Sequence, residues 1–417
     1  MLIDLADATP KTSGGKATPL AHLLSAGLPV PPGFVVPTHA YEEAIARVDA
    51  AGAARHDADA ARLLVEQATL TPGLVGEIST ALTRVTDASS DGCVAVRSSA
   101  TSEDGADAAA AGQHDTFLGV RGPDQVADAV RRCWASLWSK RAVAYRQRQP
   151  GDVSADPPLM AVLVQRLVDA DVAGVLFTGT TVRIEATWGL GESIVGGQVT
   201  PDSWAVTDGA IVHRAVGHKD TRMDRVRTQV VTHEVPPTDR DLLCLNDDVV
   251  VRLARLGRRI ENLLGRPQDL EWAIADNQIW ILQARPITAS LPTGRTPQTG
   301  LAATGIFFAG TPGSPGLAAG PARVVRGPSD FARVEPGDVL VCRTTDPAWT
   351  PLFGVVAAVV TETGGLLSHA AIVAREQGLP AVLAVPDATT ALPDGATVEV
   401  DGSNGHVVLA ESQPEHG

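Results

Sequence analysis

The sequence predicts an α/β (α+β) fold in which two domains are joined by a flexible linker. Residues 1–288 alternate short apolar runs, typical of strands, with segments of helical spacing, whereas residues 289–304 are rich in Pro, Gly and Thr and follow neither period. The 417 residues also exceed the roughly 100–200 of one typical domain. We therefore predict a first domain over 1–288, a linker over 289–310 and a second domain over 311–417.

Charge and cysteine content exclude several classes of protein. The chain has 34 Lys and Arg against 48 Asp and Glu, and this net charge of −14 argues against nucleic acid and anionic membrane surfaces as general partners. The four cysteines form no CxxC pair, so neither a disulfide framework nor a zinc site is expected. The first residues lack a basic segment followed by an apolar one, and we expect a cytoplasmic protein.

Helix and strand signals alternate along the first domain. Apolar residues at helical spacing predict a helix over 124–148 with Asp124 as its N-cap. Two later strands are separated only by Asp276-Asn277-Gln278, which predicts a hairpin. The predicted strands lie at 159–164, 174–177, 182–187, 270–275 and 279–283.

In the second domain an apolar strand runs into Gly364-Gly365, and a helix over 368–377 follows. Further strands are predicted at 320–325, 339–341, 357–361 and 397–400. With Ser368 as the helix cap, His369 lies in the first turn, where the positive end of the helix dipole disfavours an imidazolium and the open amides can receive a phosphate. On this pattern alone, a structural histidine and a nucleophilic one remain alternatives.

The longer pattern around the histidine is more specific. Residues 363–380, which contain Thr-Gly-Gly-Leu-Leu-Ser-His, resemble the phosphohistidine signature of the phosphoenolpyruvate synthase and pyruvate phosphate dikinase family. Residues 313–320 and 346–351 are similar to the same family's swivelling domain, so the resemblance spans 311–410. It implies a small swivelling β/β/α domain in which His369 carries a phosphoryl group. The residues implied to support that group are Thr363, Gly364, Gly365 and Ser368.

Motifs of the first domain resemble the nucleotide-binding domain of that family, which has an ATP-grasp fold. The matching segments are 14–20, 27–34, 94–104, 112–118, 164–168, 188–192, 199–202, 268–272 and 281–286. The resemblance implies that ATP is bound by Lys16, Arg97, Gly112, Thr116, Gln165, Glu271, Gln283 and Arg285. A guanidinium group followed by hydroxyl side chains, as in Arg97-Ser98-Ser99, suits phosphate oxygens.

The hairpin carries the predicted metal ligands. Glu271 and Gln283 can face the same way on paired strands, and one carboxylate with one amide oxygen suits Mg²⁺ that also binds phosphate. Arg285 lies two residues beyond Gln283 and so on the same strand face. Isolated residues of this kind are usually solvated strand positions, and only their agreement with the family motif favours metal and phosphate binding.

The sequence also departs from the family pattern. Leu367 occupies the position where relatives often carry a threonine that is phosphorylated as an off switch, so we predict that this control is absent. Residues 177–183 shorten a hairpin at the edge of the nucleotide site, and 108–111 replace a more varied stretch of the phosphate lid with alanines. His114 receives no catalytic role.

The resemblance implies a dikinase-type reaction in which ATP phosphorylates His369 and leaves as AMP, with Mg²⁺ as cofactor. The family's pyruvate-binding TIM barrel does not follow the histidine domain, so we expect a separate acceptor protein, with pyruvate or another small molecule as the phosphoryl acceptor. Two alternatives remain open. One is a self-contained small-molecule phosphotransferase whose acceptor lies between the domains, and the other is a phosphocarrier read by a binding partner.

Overall fold

Helices and strands occur throughout the described part of the chain. The computed structural model describes residues 1–46, 48–86, 91–101, 104–105, 108–109, 115–140, 142–143, 159–287 and 305–410. Within these residues no helix is both long and apolar enough to cross a lipid bilayer.

The first domain contains two antiparallel sheets, of which the first has the order β1-β2-β7-β3-β6. Its strands are β1 (Ile3–Asp4), β2 (Gly33–Val36), β3 (Cys93–Ala100), β6 (Thr116–Arg121) and β7 (Met160–Arg166), and β4 (Asp104–Gly105) pairs separately with β5 (Ala108–Ala109). Apolar residues of five helices and of this sheet form one core, in which Trp134 and Tyr41 are fully buried. The helices near this sheet are Pro10–Ser25, Thr38–Ile45, Ala50–Ala54, Ala58–Glu66, Pro72–Val85 and Gly122–Ser136, and a 3-10 turn spans Leu5–Asp7.

The second sheet has the order β11-β10-β9-β8-β14-β15 and ends in the predicted hairpin. Its strands are β8 (Val172–Phe177), β9 (Val182–Trp188), β10 (Asp202–Thr207), β11 (Ala210–Ala215), β14 (Gln268–Ala275) and β15 (Gln278–Pro286), with β12 (Thr221–Val226) and β13 (Gln229–Glu234) as a separate pair. A short helix, Glu192–Val195, follows β9. Helix Asp247–Leu264 packs on the sheet: Asn246 caps its start by accepting from the Val249 amide, and Gly265 ends it in the left-handed conformation.

An eight-stranded sheet of order β16-β23-β22-β18-β19-β20-β21-β17 forms the second domain. The strands are β16 (Gly305–Ala309), β17 (Thr311–Ser314), β18 (Leu317–Val324), β19 (Val339–Cys342), β20 (Ala358–Thr361), β21 (Ala381–Leu383), β22 (Thr397–Asp401) and β23 (His406–Ala410). Because β18 to β21 run parallel, helices cross over between them. The helical segments are Pro328–Arg333, Pro347–Trp349, Thr350–Phe353, His369–Gln377 and Ala388–Ala391.

Three expectations about local structure need correction. The helix expected over 124–148 is Gly122–Ser136, so Asp124 lies in its first turn and Arg121 holds the N-cap position. Ser368 does hold the N-cap position of the later helix, but its hydroxyl donates to the Gly365 carbonyl at 2.9 Å and accepts no helix amide. The expected linker over 289–310 includes β16, which pairs with β23, because its apolar residues extend the eight-stranded sheet of the second domain. The rest of that linker, up to residue 304, lies outside the described residues.

Candidate functional site

A cavity of about 270 Å³ lies where the two sheets of the first domain meet helix His369–Gln377. This volume is near the lower end of those found for small-molecule sites. Nearly all of the residues expected to bind ATP line it together with the histidine, and these are Lys16, Arg97, Thr116, Gln165, Glu271, Gln283, Arg285 and His369. The exception is Gly112, which falls outside the described residues, as does His114.

Lys16 is brought to the cavity by a break in helix Pro10–Ser25. Gly14 has φ of +72° inside this helix, and a side chain there would meet the Ser99 carbonyl oxygen at 2.0 Å, so only glycine allows the approach. The Lys16 amide donates to Ser99 Oγ at 3.1 Å, and Lys16 Nζ donates to the Ser98 carbonyl at 3.0 Å. The cation is thus held against strand β3, next to Arg97.

Arg97 is a buried cation, 8% exposed, on the central part of β3. Its ladder partner on β6 is Thr116, and its Nη1 lies 3.5 Å from Glu271 Oε2. Its Nε is buried without a hydrogen-bond partner among the described residues. Buried donors are normally satisfied, so this orphaned N–H fits a site that receives an anionic ligand.

The hairpin β14–β15 pairs Glu271 with Gln283 and Asp269 with Arg285. Glu271 and Gln283 therefore face the cavity side by side, as a shared cation requires. Arg285 Nε donates to Asp269 Oδ2 at 2.7 Å, and burial raises the pKa of the Asp269 carboxyl while the Arg285 cation opposes that shift.

A magnesium ion fits this pair only in part. Within the described residues no cluster of three or more His, Cys, Asp or Glu side chains could hold a metal ion by itself. One carboxylate and one amide oxygen match Mg²⁺ when phosphate oxygens and water complete its octahedral shell. The donor set thus suits a nucleotide-bound Mg²⁺ better than a metal held by protein alone.

Part of the cavity wall is apolar. The side chains that pack together there are Val168, Ala170, Ala173, Leu190, Ala273 and Leu282. Gln165, on β7, is 3% exposed and donates to the Pro31 carbonyl at 3.2 Å. An apolar wall beside a cationic one matches the two ends of a nucleotide, a flat base and its phosphates.

His369 begins its helix with its ring turned toward the first domain. The ring is 6% exposed, and both of its nitrogens face hydroxyl groups. Thr345 Oγ1 lies 2.8 Å from Nδ1, and Thr350 Oγ1 lies 3.3 Å from Nε2. The ring also meets Phe353 edge-on at 6.0 Å between centroids. These contacts fix the orientation of the ring at the edge of the cavity.

The loop before His369 makes contacts across the two domains. Thr363 Oγ1 donates to the Gly197 carbonyl at 2.6 Å, and the Leu366 amide donates to Glu185 Oε1 at 2.8 Å. Gly364 has φ of +111°, a conformation that glycine tolerates. The Leu366 amide of this loop thus faces a carboxylate of the first domain in this arrangement.

Leu367 is also part of the contact between the domains. It is 3% exposed and packs in a cluster with Val175, Phe177 and Ile194 of the first domain. A leucine at this position therefore has a packing role, which a residue carrying a phosphate would not fulfil.

Sequence reasoning missed three residues at the site. Thr345 and Thr350 flank the Asp-Pro-Ala-Trp motif, but nothing in its pattern indicates that both contact one histidine. Glu192 lines the cavity, and burial raises the pKa of its carboxyl, with the Arg97 cation opposing. Its position after Gly-Leu-Gly, at the start of a short helix, was the only sequence signal for it.

Comparison with family models and curated proteins agrees with this architecture. Residues 11–299 match the model described as pyruvate phosphate dikinase, AMP/ATP-binding domain, and residues 334–405 match that of the PEP-utilising enzyme, mobile domain.

Among curated proteins, a probable phosphoenolpyruvate synthase of Methanothermobacter thermautotrophicus is 37% identical over 95% of this chain and 61% of its own length. The phosphoenolpyruvate synthases of Aeropyrum pernix and Pyrococcus furiosus are 36% and 33% identical over 96% and 94% of this chain, which correspond to 57% and 56% of their own lengths. This chain therefore spans somewhat more than half the length of these relatives. On these matches, the chain belongs to the phosphoenolpyruvate synthase and pyruvate phosphate dikinase family.

Proposed function

We propose that the chain is an ATP-dependent phosphotransferase in which His369 carries the phosphoryl group. The observation that carries the proposal is that His369 lines the same cavity as Lys16, Arg97 and Arg285. Three cations beside one imidazole suit the transfer of a phosphoryl group, because they stabilise the charge that develops on phosphate oxygens in the transition state. The family's AMP/ATP-binding domain over residues 11–299 supports ATP as the donor.

Nε2 of His369 is the proposed nucleophile. Nδ1 is held at 2.8 Å by Thr345, which is 1% exposed, whereas the contact of Nε2 with Thr350 is longer, at 3.3 Å. If Nδ1 carries the proton and donates it to Thr345, Nε2 keeps its lone pair for attack. Thr345 then acts as a positioning residue that selects the tautomer.

The proposed step is a displacement at the β-phosphorus of ATP. The bond from Nε2 to the β-phosphorus forms, the bond from that phosphorus to the oxygen of the α-phosphate breaks, and AMP leaves. The γ-phosphate is then lost to water or to phosphate, which leaves one phosphoryl group on His369. Arg97 and Arg285 would hold the phosphates in line, and Glu271 with Gln283 would hold Mg²⁺, which when bound neutralises phosphate charge.

The acceptor of the phosphoryl group completes the proposal. Relatives that are named phosphoenolpyruvate synthase support pyruvate as the first candidate among small molecules. We propose that the acceptor is bound by a separate acceptor subunit.

Labelled ATP tests the phosphohistidine. The chain is incubated with Mg²⁺ and with ATP labelled at either the β or the γ phosphate, and acid-labile label on the protein is counted for the wild type and for His369→Ala. We expect stable label from the β position only, and none in the variant. Label that persists in His369→Ala would exclude this histidine as the carrier.

The acceptor is tested on the isolated phosphorylated chain. Pyruvate is added alone and then together with the region of the Methanothermobacter relative that this chain does not match. Loss of label and formation of phosphoenolpyruvate only in the second case would support a separate subunit. Turnover with pyruvate alone would place the acceptor site on this chain.

A further inference from the structure

The carboxylate of Glu185 joins the two domains at the loop that precedes His369. Glu185 lies on β9, in the middle of the second sheet, where its strand neighbours are Val175 and Ser203. Its side chain is 4% exposed, and Oε1 accepts the Leu366 amide at 2.8 Å. A Cβ on Gly365 would lie 2.4 Å from Oε2, so the loop backbone is in close contact with the carboxyl group.

This carboxyl group is poorly compensated for an anion. Its Oε2 is buried and makes no hydrogen bond of normal geometry among the described residues, although the Leu367 amide acts on the carboxyl together with that of Leu366. Arg183, on the same strand, and Arg375, on the histidine helix, are the cations that face it. Arg375 is engaged elsewhere, because it donates to the carbonyls of Gly313 and Leu366 at 2.8 Å each.

Three further charged groups lie near Glu185 at the contact between the domains. Asp269 pairs with Arg285 on the hairpin, and the Arg375 cation acts on Asp269 as well. Burial raises the pKa of Glu376, the next residue of the histidine helix, to about 7, and the Arg285 and Arg375 cations oppose that shift, so a variant of Glu376 is needed as a control. None of these residues forms an ion pair with Glu185 within the described part of the chain, so burial favours the protonated form of this carboxyl.

Other contacts between the domains, among the described residues, are hydrogen bonds from threonine hydroxyls and one ion pair. Thr363 and Thr344 donate to the carbonyls of Gly197 and Gly196 at 2.6 and 2.8 Å. Arg343 pairs with Asp220 at 3.2 Å. These contacts and the packing of Leu367 do not involve the Glu185 carboxyl, which is the buried carboxyl that the loop before His369 contacts directly.

We propose that the Glu185 carboxyl is a proton-linked latch: the histidine domain docks on the nucleotide domain with this group protonated, and undocking releases the proton to solvent. The latch concerns docking of the domains and not phosphoryl transfer itself. It rests on the proposed function in one respect: the latch would let a phosphoryl-carrying domain leave the nucleotide site. Docking itself can be measured without ATP.

The sign of the pH effect follows from the two states. Burial raises the pKa of Glu185 from 4.5 to about 7 when the domains are docked, whereas undocking returns the group to water. Below pH 4.5, the pKa of the undocked state, Glu185 is protonated in both states and docking is strongest. As pH rises toward about 7 only the undocked state loses its proton, so docking weakens, in total by on the order of 300-fold. Above that range docking is weak but constant.

The test measures amide hydrogen exchange in the peptide containing residues 363–368, with each rate corrected for the intrinsic effect of pH. In the wild-type chain we expect the protection of the Leu366 amide to fall by at least about tenfold between about pH 5.5 and about pH 8. Glu185→Gln, which mimics the protonated acid, should keep its protection within about twofold over this range. Small-angle scattering on the same samples should show expansion with pH in the wild type only.

Two control variants complete the test. Glu399→Gln removes a carboxylate on β22, and Glu376→Gln removes the carboxylate of the histidine helix, at an exposed residue; both should keep the wild-type pH dependence. The proposal is overturned if Glu185→Gln keeps that dependence, if the wild type shows none, or if Glu376→Gln abolishes it. Failure of ATP labelling with an intact pH response would count against the proposed function and leave the latch standing.

Discussion

Thr345 Oγ1 lies 2.8 Å from Nδ1 of His369, and the two side chains are 1% and 6% exposed. A hydrogen bond in so buried a place holds the imidazole in one orientation, because no water can replace the threonine hydroxyl. The geometry therefore links the reactivity of the histidine to a residue 24 positions before it.

Replacing Thr345 with valine should slow phosphorylation of His369. Valine keeps the shape but removes the hydroxyl, and a lost hydrogen bond of about 1–1.5 kcal/mol corresponds to a rate lower by about tenfold. The measurement is the initial rate of acid-labile labelling from ATP labelled at the β phosphate. Thr390→Val, at an exposed threonine that donates to the Asp387 carbonyl, is the matched control and should label at the wild-type rate. Equal labelling rates for the two variants would show that Thr345 does not position the His369 ring.

Replacing Gln283 with leucine should raise the Mg²⁺ concentration needed for labelling. Gln283 and Glu271 are ladder partners that face the cavity, so the variant leaves the cation one protein oxygen. We expect the half-saturating Mg²⁺ concentration to rise by about tenfold or more, the scale seen when supporting contacts of a metal are lost. The control is Gln278→Leu, at an exposed position on the same strand. A Mg²⁺ titration that is unchanged in Gln283→Leu would argue that the amide does not bind the metal.

Removing one partner of the buried ion pair between Lys219 and Asp202 should strongly lower the free energy of unfolding. Both are fully buried, Lys219 Nζ donates to Asp202 Oδ1 at 2.6 Å, and Asp202 also accepts the amides of Gly217 and Cys244 at 2.8 Å. Lys219→Met leaves that carboxylate buried without its cation, which should cost about 3–5 kcal/mol of the free energy of unfolding. Urea denaturation measures this change. Lys140→Met, at an exposed ion pair, should have no measurable effect, and the idea fails if the two variants unfold alike.

The sequence predicted the contacts that are local in the chain and missed those that are distant. The pairing of Glu271 with Gln283 was predictable because two strand signals flank a three-residue turn. The contact of Glu185 with Leu366 joins residues 181 positions apart, and no periodic pattern reports which domain surface meets which. Ser368 shows that prediction from sequence also fails at the level of single hydrogen bonds. Its position at the helix start was predictable, but the acceptor of its hydroxyl was not.

Leu367→Asp should separate the two domains. Leu367 is 3% exposed among Val175, Phe177 and Ile194, so a carboxylate there would be buried without a partner. We expect loss of amide protection over residues 363–368 and loss of labelling of His369, with thermal unfolding of each domain little changed. Leu317→Asp provides the control, because that leucine of the same domain is 62% exposed. If Leu367→Asp retained both protection and labelling, the leucine would not be part of the docking contact.

Gly365→Ala should also weaken docking, for a steric reason that a second substitution can isolate. The added Cβ would lie 2.4 Å from Glu185 Oε2 and 2.6 Å from Oε1, closer than atoms can pack, whereas Gly73→Ala meets no atom within 4 Å and is the control. Glu185→Ala removes the obstacle together with the hydrogen bond to Leu366. The double variant should therefore dock as well as Glu185→Ala alone, which makes the two effects non-additive. Strictly additive losses of amide protection in this cycle would mean that alanine disturbs the loop itself rather than its contact with Glu185.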